Sequence, residues 1–232
     1  MSDQKPVFLM AGGRNSRGKG LDPVMQSVFK EIGIVAPNIA YVGAASEDNW
    51  GFYLMIANML KKSADCKVNR VVIAPKKANL EKARSALESS DAIFMSGGDV
   101  EAGMKVLEDK GLAGFFGDLY QRGKLFFGTS AGSIMLAREW VRWRDPDDNS
   151  TAEIFPCLGL APVICDTHAE SDDWEELKAA LELKEENSRG YGIPTGSCLK
   201  VFSDGKLEAV GGPVYQYTRH GDQVVKLADI GP

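Results

Sequence analysis

Short, almost wholly apolar runs that end in glycine alternate with helical stretches through the first two thirds of this chain. That rhythm restricts the fold more than any other feature. Residues 6–11 run into Gly12-Gly13, residues 38–42 into Gly43, residues 91–96 into Gly97-Gly98, and residues 123–127 into Gly128. A strand wetted on one face alternates apolar and polar residues, whereas runs without alternation belong to strands covered on both faces. A further strand is expected at 68–74. Between these runs, residues 21–32 carry apolar side chains at helical spacing (Val24, Val28, Phe29, Ile32), and 53–62, 80–87, 101–107 and 113–121 also read as helices. Such alternation specifies α/β architecture, a parallel sheet with helices on its faces. Ligands of these sheets gather beyond the carboxyl ends of the strands, so the turns at 12–13, 97–98 and 128–132 are expected to border one crevice.

After about residue 190 the pattern changes to short β-prone pieces such as 198–202. Turns at Ser203-Asp204-Gly205 and His220-Gly221-Asp222 separate them. C-terminal antiparallel hairpins that extend or cap the sheet are the expectation. With no repeats and no linker-like segment, the chain of 232 residues reads as one domain, 1–232. A net charge of −5, with basic runs no longer than pairs such as Lys61-Lys62, argues against nucleic acid or a membrane surface as the main partner. The four cysteines, Cys66, Cys157, Cys165 and Cys198, form no metal-ligand spacing, and there are two histidines. No metal and no cofactor is expected. The apolar stretch near the N-terminus is too short for a signal sequence, and no run approaches membrane-spanning length; the expectation is a cytoplasmic protein.

Chemistry concentrates in Gly128-Thr129-Ser130-Ala131-Gly132, which follows one apolar strand and precedes a helical stretch at 133–138. G-x-S-x-G in that setting reads as a nucleophile elbow: the serine sits on a sharp strand-to-helix turn beside unpaired helix N–H groups. A serine hydroxyl needs a base within hydrogen-bond reach. His168 follows the β-prone run 162–167 and so stands at a strand end, whereas His220 sits in a hairpin turn, where exposure is the rule. His168 is therefore the expected base. For the orienting carboxylate the residues leave several candidates: the acidic turn 144–148, Asp166 just before the histidine, and Glu170 and Asp172 just after it.

Four blocks in this order and spacing, Phe94-Met95-Ser96-Gly97-Gly98-Asp99, Gly128 to Gly132, Asp166-Thr167-His168 and Gly190-Tyr191-Gly192-Ile193-Pro194, resemble peptidase family S51, the serine peptidases that include aspartyl dipeptidases (peptidase E) and cyanophycinases. The resemblance spans nearly the whole chain. It implies a three-layer parallel-sheet fold of the flavodoxin-like, class I glutamine-amidotransferase-like type. It further implies a serine-type exo- or dipeptidase for small peptides, with aspartyl-peptide-like substrates within range. Ser130 would be the nucleophile, His168 the general base and Asp145 the acid, with Asp147 or Asp148 as substitutes. The N–H groups of Gly98 and Ala131 would form the oxyanion hole.

Three departures bear on substrate. Asp99 stands where members of the family commonly carry Asn; the segment after His168 is acidic and lacks arginine; and Pro194-Thr195 replaces an expected acid. Without an arginine to pair with an aspartyl carboxylate, the expectation shifts to a small peptide with a cationic group facing residues 170–176. Asp99, Arg14 and Glu170 are candidate substrate contacts. The acidic segment also reads as the favourable first turn of a helix over 174–183, with no substrate needed.

Two other readings compete. Residues 13–20 nearly match a phosphate-binding loop, but Gly20 stands where the magnesium-holding hydroxyl belongs. A catalytically silent relative that binds a ligand or a partner is the stronger alternative. Trp140, Trp143 and Phe155 suit a homo-oligomer interface, a core or a pocket wall equally well.

Overall fold

A computed structural model of the chain describes residues 4–13 and 22–232. The first two thirds follow the expected alternation: β1 (Val7–Met10), α1 (Pro23–Ile32), β2 (Asn38–Val42), α2 (Trp50–Ser63), β3 (Lys67–Val71), α3 (Leu80–Ser89), β4 (Ala92–Met95), α4 (Val100–Asp109), α5 (Ala113–Gln121), β5 (Leu125–Thr129) and α6 (Ala131–Leu136). Residues 14–20 of the phosphate-loop-like stretch, Arg14 among them, lie outside the described residues. Strands β1, β5, β4, β2 and β3 are parallel neighbours in that order, as unbroken apolar runs require.

Both faces of this sheet are covered. Val7, Leu9, Val42, Ile93, Met95 and Phe126 face one core, shared with α3 to α6. Phe8, Met10, Tyr41, Phe94, Leu125 and Phe127 face the other, against α1 and α2. Local signals set the helix starts: Asp22, Asn49, Asn79 and Asp99 each cap a helix with a side-chain oxygen. Among the described residues, no helix is long and apolar enough to cross a membrane.

The remainder runs β6 (Glu139–Trp143), β7 (Ala152–Pro156), β8 (Ile164–Thr167), α7 (Glu175–Glu182), β9 (Arg189–Ile193), β10 (Cys198–Val201), β11 (Leu207–Val210), β12 (Tyr215–His220) and β13 (Gln223–Lys226). The two expected hairpins form, but they serve different sheets. β10 pairs antiparallel with β1 and, with β11, extends the first sheet to seven strands. β12 and β13 instead join a second sheet, in the order β13-β12-β9-β8-β6-β7. The strand that carries His168 belongs to this second sheet, not to the sheet of Ser130.

The second sheet packs Cys165, Tyr191 and Ile193 against the main core, and Val141, Ile164 and Tyr217 against α7 on its other face. Its junction with the first sheet is α6, every residue of which is buried. Four backbone hydrogen bonds stitch the following segment onto it: Leu158 N–H to Met135 O, Gly159 N–H to Ala137 O, Ala161 N–H to Leu136 O, and Arg138 N–H to Val163 O.

Candidate active site

Ser130 stands where β5 gives way to α6. Its backbone, at φ 53° and ψ −127°, lies outside the helical and extended regions open to an L-residue. Such a conformation costs about 1–3 kcal/mol and survives only when its surroundings enforce it. Here the Ser130 N–H donates to Met10 O at 2.9 Å, and the Ser130 carbonyl accepts the Ser133 N–H at 2.8 Å. Ser133, which no sequence motif flags, supplies a clamp. Its hydroxyl donates to Met10 O and accepts from the Met10 N–H, each at 2.8 Å. Glycine at 132 is needed because a Cβ there would overlap the Met95 carbonyl of β4.

His168 also has a left-handed backbone, φ 47°, one residue beyond β8. Its N–H donates to Ile193 O of β9 at 2.9 Å. The imidazole Nε2 lies 2.7 Å from Ser130 Oγ, within reach for proton transfer. The two side chains border a cleft of about 330 Å³, together with Gly98 and Ala131. Gly98 has φ 143°, and a Cβ would collide with the Ala45 carbonyl, so the chain passes there only as glycine. Ala131 opens α6, where an N–H has no acceptor within the helix.

The carboxylates fall differently from the sequence expectation. Asp145, Asp147 and Asp148 occupy the exposed turn between β6 and β7. Asp145 accepts the Asp147 N–H at 3.1 Å, and Asp148 holds the hydroxyl and N–H of Ser150. None of the three lines the cleft. The pairing explains why: β6 meets β8 at Glu139 and Ile164, whereas its length as far as Trp143 pairs with β7, so residues 145–148 fall in the turn that joins β6 to β7. The acid implied at Asp145 is therefore not delivered to the imidazole. Among the described residues, the hydrogen bond of the His168 ring is to Ser130, and no carboxylate lies within ion-pair distance of it.

Glu170 also departs from expectation. Its carboxylate accepts the Thr195 N–H at 2.7 Å, tying the segment after His168 to the turn before β10, and it does not line the cleft. Asp99 does line it, while one of its oxygens caps α4 through the Ala102 N–H at 2.7 Å. His220 pairs with Glu186 on the surface.

Three further carboxylates border the cleft: Asp166 at the end of β8, Asp172 in the following loop and Glu176 in the first turn of α7. Asp166 is 4% exposed. Its Oδ1 accepts the Thr167 N–H at 2.7 Å, and its Oδ2 has no hydrogen-bond partner. Burial, then the charge of Glu176, pushes Asp166 up to about 7. Glu176 is also raised, first by burial; the Trp140 Nε1–H, donating to its Oε2 at 2.7 Å, opposes the rise and Asp172 adds to it. Trp140 thus forms a wall of the cleft, edge-on to Phe155. Glu176 carries no motif; only the packing of α7 on the second sheet turns it inward.

The family model described as peptidase family S51 matches residues 7–209. A crystal structure of a peptidase from an acI-B1 Actinobacterium is similar with a TM-score of 0.73 at 16% identity, covering 99% of this chain and 97% of that one. A putative peptidase E protein from Listeria monocytogenes EGD-e is similar with a TM-score of 0.64, also at 16% identity, covering 89% of this chain and 98% of that one. These two likenesses are of fold. No curated protein matches the chain.

Proposed function

We propose, from the premise that the chain belongs to peptidase family S51 and is a serine peptidase, that it hydrolyses small peptides through an acyl-enzyme on Ser130. The observation that carries this reading is the 2.7 Å approach of His168 Nε2 to Ser130 Oγ at a strained strand-to-helix turn. As Oγ attacks the scissile carbonyl, His168 takes its proton. The carbonyl oxygen becomes an oxyanion facing the N–H groups of Gly98 and Ala131. His168 then gives the proton to the leaving amine, and water, deprotonated by the same imidazole, releases the acyl group. The left-handed backbone of His168 and its N–H bond to Ile193 O fix where the residue sits, and the Glu176 carboxylate, which interacts electrostatically with His168 across the cleft, is the group placed to stabilise the imidazolium. A cleft of about 330 Å³ is at the small end for ligand sites, which supports a short peptide.

A fluorophosphonate probe tests this directly. Wild-type protein should label at one site, and Ser130→Ala should abolish labelling. Among the described residues no carboxylate is hydrogen-bonded to the imidazole, which favours one rival, a silent relative that only binds. Wild-type protein that folds but fails to label would establish that rival.

A further inference from the structure

The unusual property of the cleft is its excess of carboxyl groups, which face one basic side chain, His168, on the described lining. Asp99, Asp166, Asp172 and Glu176 line it, and no lysine or arginine among the described residues does. Carboxylates elsewhere on the second sheet are paired: Glu153 with Arg142 and Arg144, and Glu139 with Lys184 and Arg138. None of the four cleft acids has an ion-pair partner among the described residues.

Helix-end electrostatics accounts for part of this. Glu175 and Glu176 sit in the first turn of α7, where negative charge is favourable. It does not account for Asp166, which lies on a strand. That carboxyl is almost wholly removed from water, yet its Oδ2 makes no hydrogen bond of ordinary geometry; the Leu177 N–H of α7 opposes the effect of burial only in part. A buried acceptor that is poorly satisfied is destabilising, and placing Glu176 and Asp172 beside it adds like-charge repulsion. A protein tolerates such an arrangement where a ligand supplies the missing cation. The same residues do not form a metal site: no group of three or more acidic, histidine or cysteine ligands among the described residues could hold an ion.

Building on the peptidase reading, we infer that Asp166, Asp172 and Glu176, with Trp140 as the flanking wall, form a subsite for a cationic group of the peptide, an ammonium or a guanidinium, beside the Ser130–His168 pair. Asp172 and Glu176 would meet the cation from α7 and its leading loop, and Asp166, which keeps its proton up to about 7 while the site is empty, would give that proton up as the cation arrives. Aromatic Trp140, already held to Glu176 through its indole N–H, presents a face that a cation can also use. The same field repels an aspartyl side chain, which sets this chain apart from an aspartyl dipeptidase.

Matched p-nitroanilides separate the two sources of the cation: alanyl-alanyl with a free amino terminus, its N-acetyl form, and N-acetylated peptides carrying Arg, norleucine or Asp at either position. At low ionic strength, at least one cationic member should exceed its neutral partner in kcat/KM by about tenfold or more, with the Asp peptides worst. Advantage confined to the free amino terminus assigns an ammonium from the peptide end; advantage in the N-acetyl-Arg series assigns a side chain. Asp172→Asn with Glu176→Gln should shrink that ratio to within about threefold, because both amides keep the acceptors used by Trp174 N–H and Trp140. Retained fluorophosphonate labelling reports that the double variant is folded with its nucleophile intact. Equal cleavage of neutral and cationic peptides, preference for Asp, or a preference that survives the double variant overturns the subsite. Where wild-type protein does not label, the peptidase mechanism has failed separately. The subsite is then read from binding of arginyl-alaninamide to Ser130→Ala protein: binding at least about tenfold tighter than N-acetyl-norleucyl-alaninamide supports it, and equal binding refutes it.

Discussion

Ser130 and His168 illustrate how far residue-level chemistry carries. A hydroxyl on an elbow and a histidine at a strand end are visible in the sequence, and their 2.7 Å approach follows from two positive-φ residues, each fixed by a main-chain bond. The acid is a different matter. Asp145 spends its carboxylate on its own turn, so Asp145→Asn should label with a fluorophosphonate at a rate within about twofold of wild type, as surface substitutions ordinarily do. A large fall in labelling rate would return Asp145 to the mechanism. Asp166 makes a sharper prediction through pH. The folded protein holds its proton up to about 7, whereas the unfolded chain releases it near the ordinary aspartate value of 3.8. Between those values the native state binds a proton that the unfolded state lacks, so stability falls as pH rises through this window. Asp166→Asn, which keeps the acceptor for Thr167 N–H, removes that dependence. Denaturant melts should show the variant gaining on wild type between pH 4 and pH 8, to an extent on the order of a few kcal/mol at the alkaline end. Parallel pH profiles for the two proteins would show that the carboxyl ionises normally.

Among the elements, α6 has the least tolerance for change. It is short and wholly buried, and its N-terminal turn presses against the end of β4. Gly132→Ala should therefore separate helix from strand. We expect a loss of at least about 2 kcal/mol in denaturant melts together with loss of labelling, because Ser130 cannot keep its strained backbone once the packing that enforces it is displaced. A variant that labels normally would mean that the elbow can relax without harm. Elements also mark where local sequence stopped being informative. The G-x-S-x-G block and flanking apolar runs announced β5 and α6. The β6–β7 hairpin had no such signal, since Glu139 to Trp143 mixes charged and aromatic residues whose pairing with residues 152–156 arises only in three dimensions.

At the scale of the whole molecule, the candidate site is a junction. Ser130 is delivered by the first sheet and His168 by the second, so their distance depends on how the sheets are held together. Leu136 is fully buried in the core shared by α6 and the second sheet, and its carbonyl accepts the Ala161 N–H. Leu136→Ala should cost 2–5 kcal/mol of stability. It should also lower kcat more than it raises KM, because a loosened junction lengthens the serine–histidine contact without altering the peptide subsite. An unchanged kcat in a protein destabilised by that amount would show that the two sheets are positioned by other contacts.

Read by itself, the chain determined the parallel sheet, the strand-to-helix turn at Ser130, a histidine at a strand end and the two C-terminal hairpins, because each rests on local periodicity, turn residues or a motif compact in sequence. Family membership was legible for the same reason. Tertiary structure alone decided that His168 rides on a second sheet, that the acidic turn at 145–148 passes beyond the rim, and that Glu176 turns inward beside Asp166. Those outcomes depend on strand register and on which face of a helix is buried. Both are set by the summed packing of distant segments, and no short stretch of sequence encodes that sum.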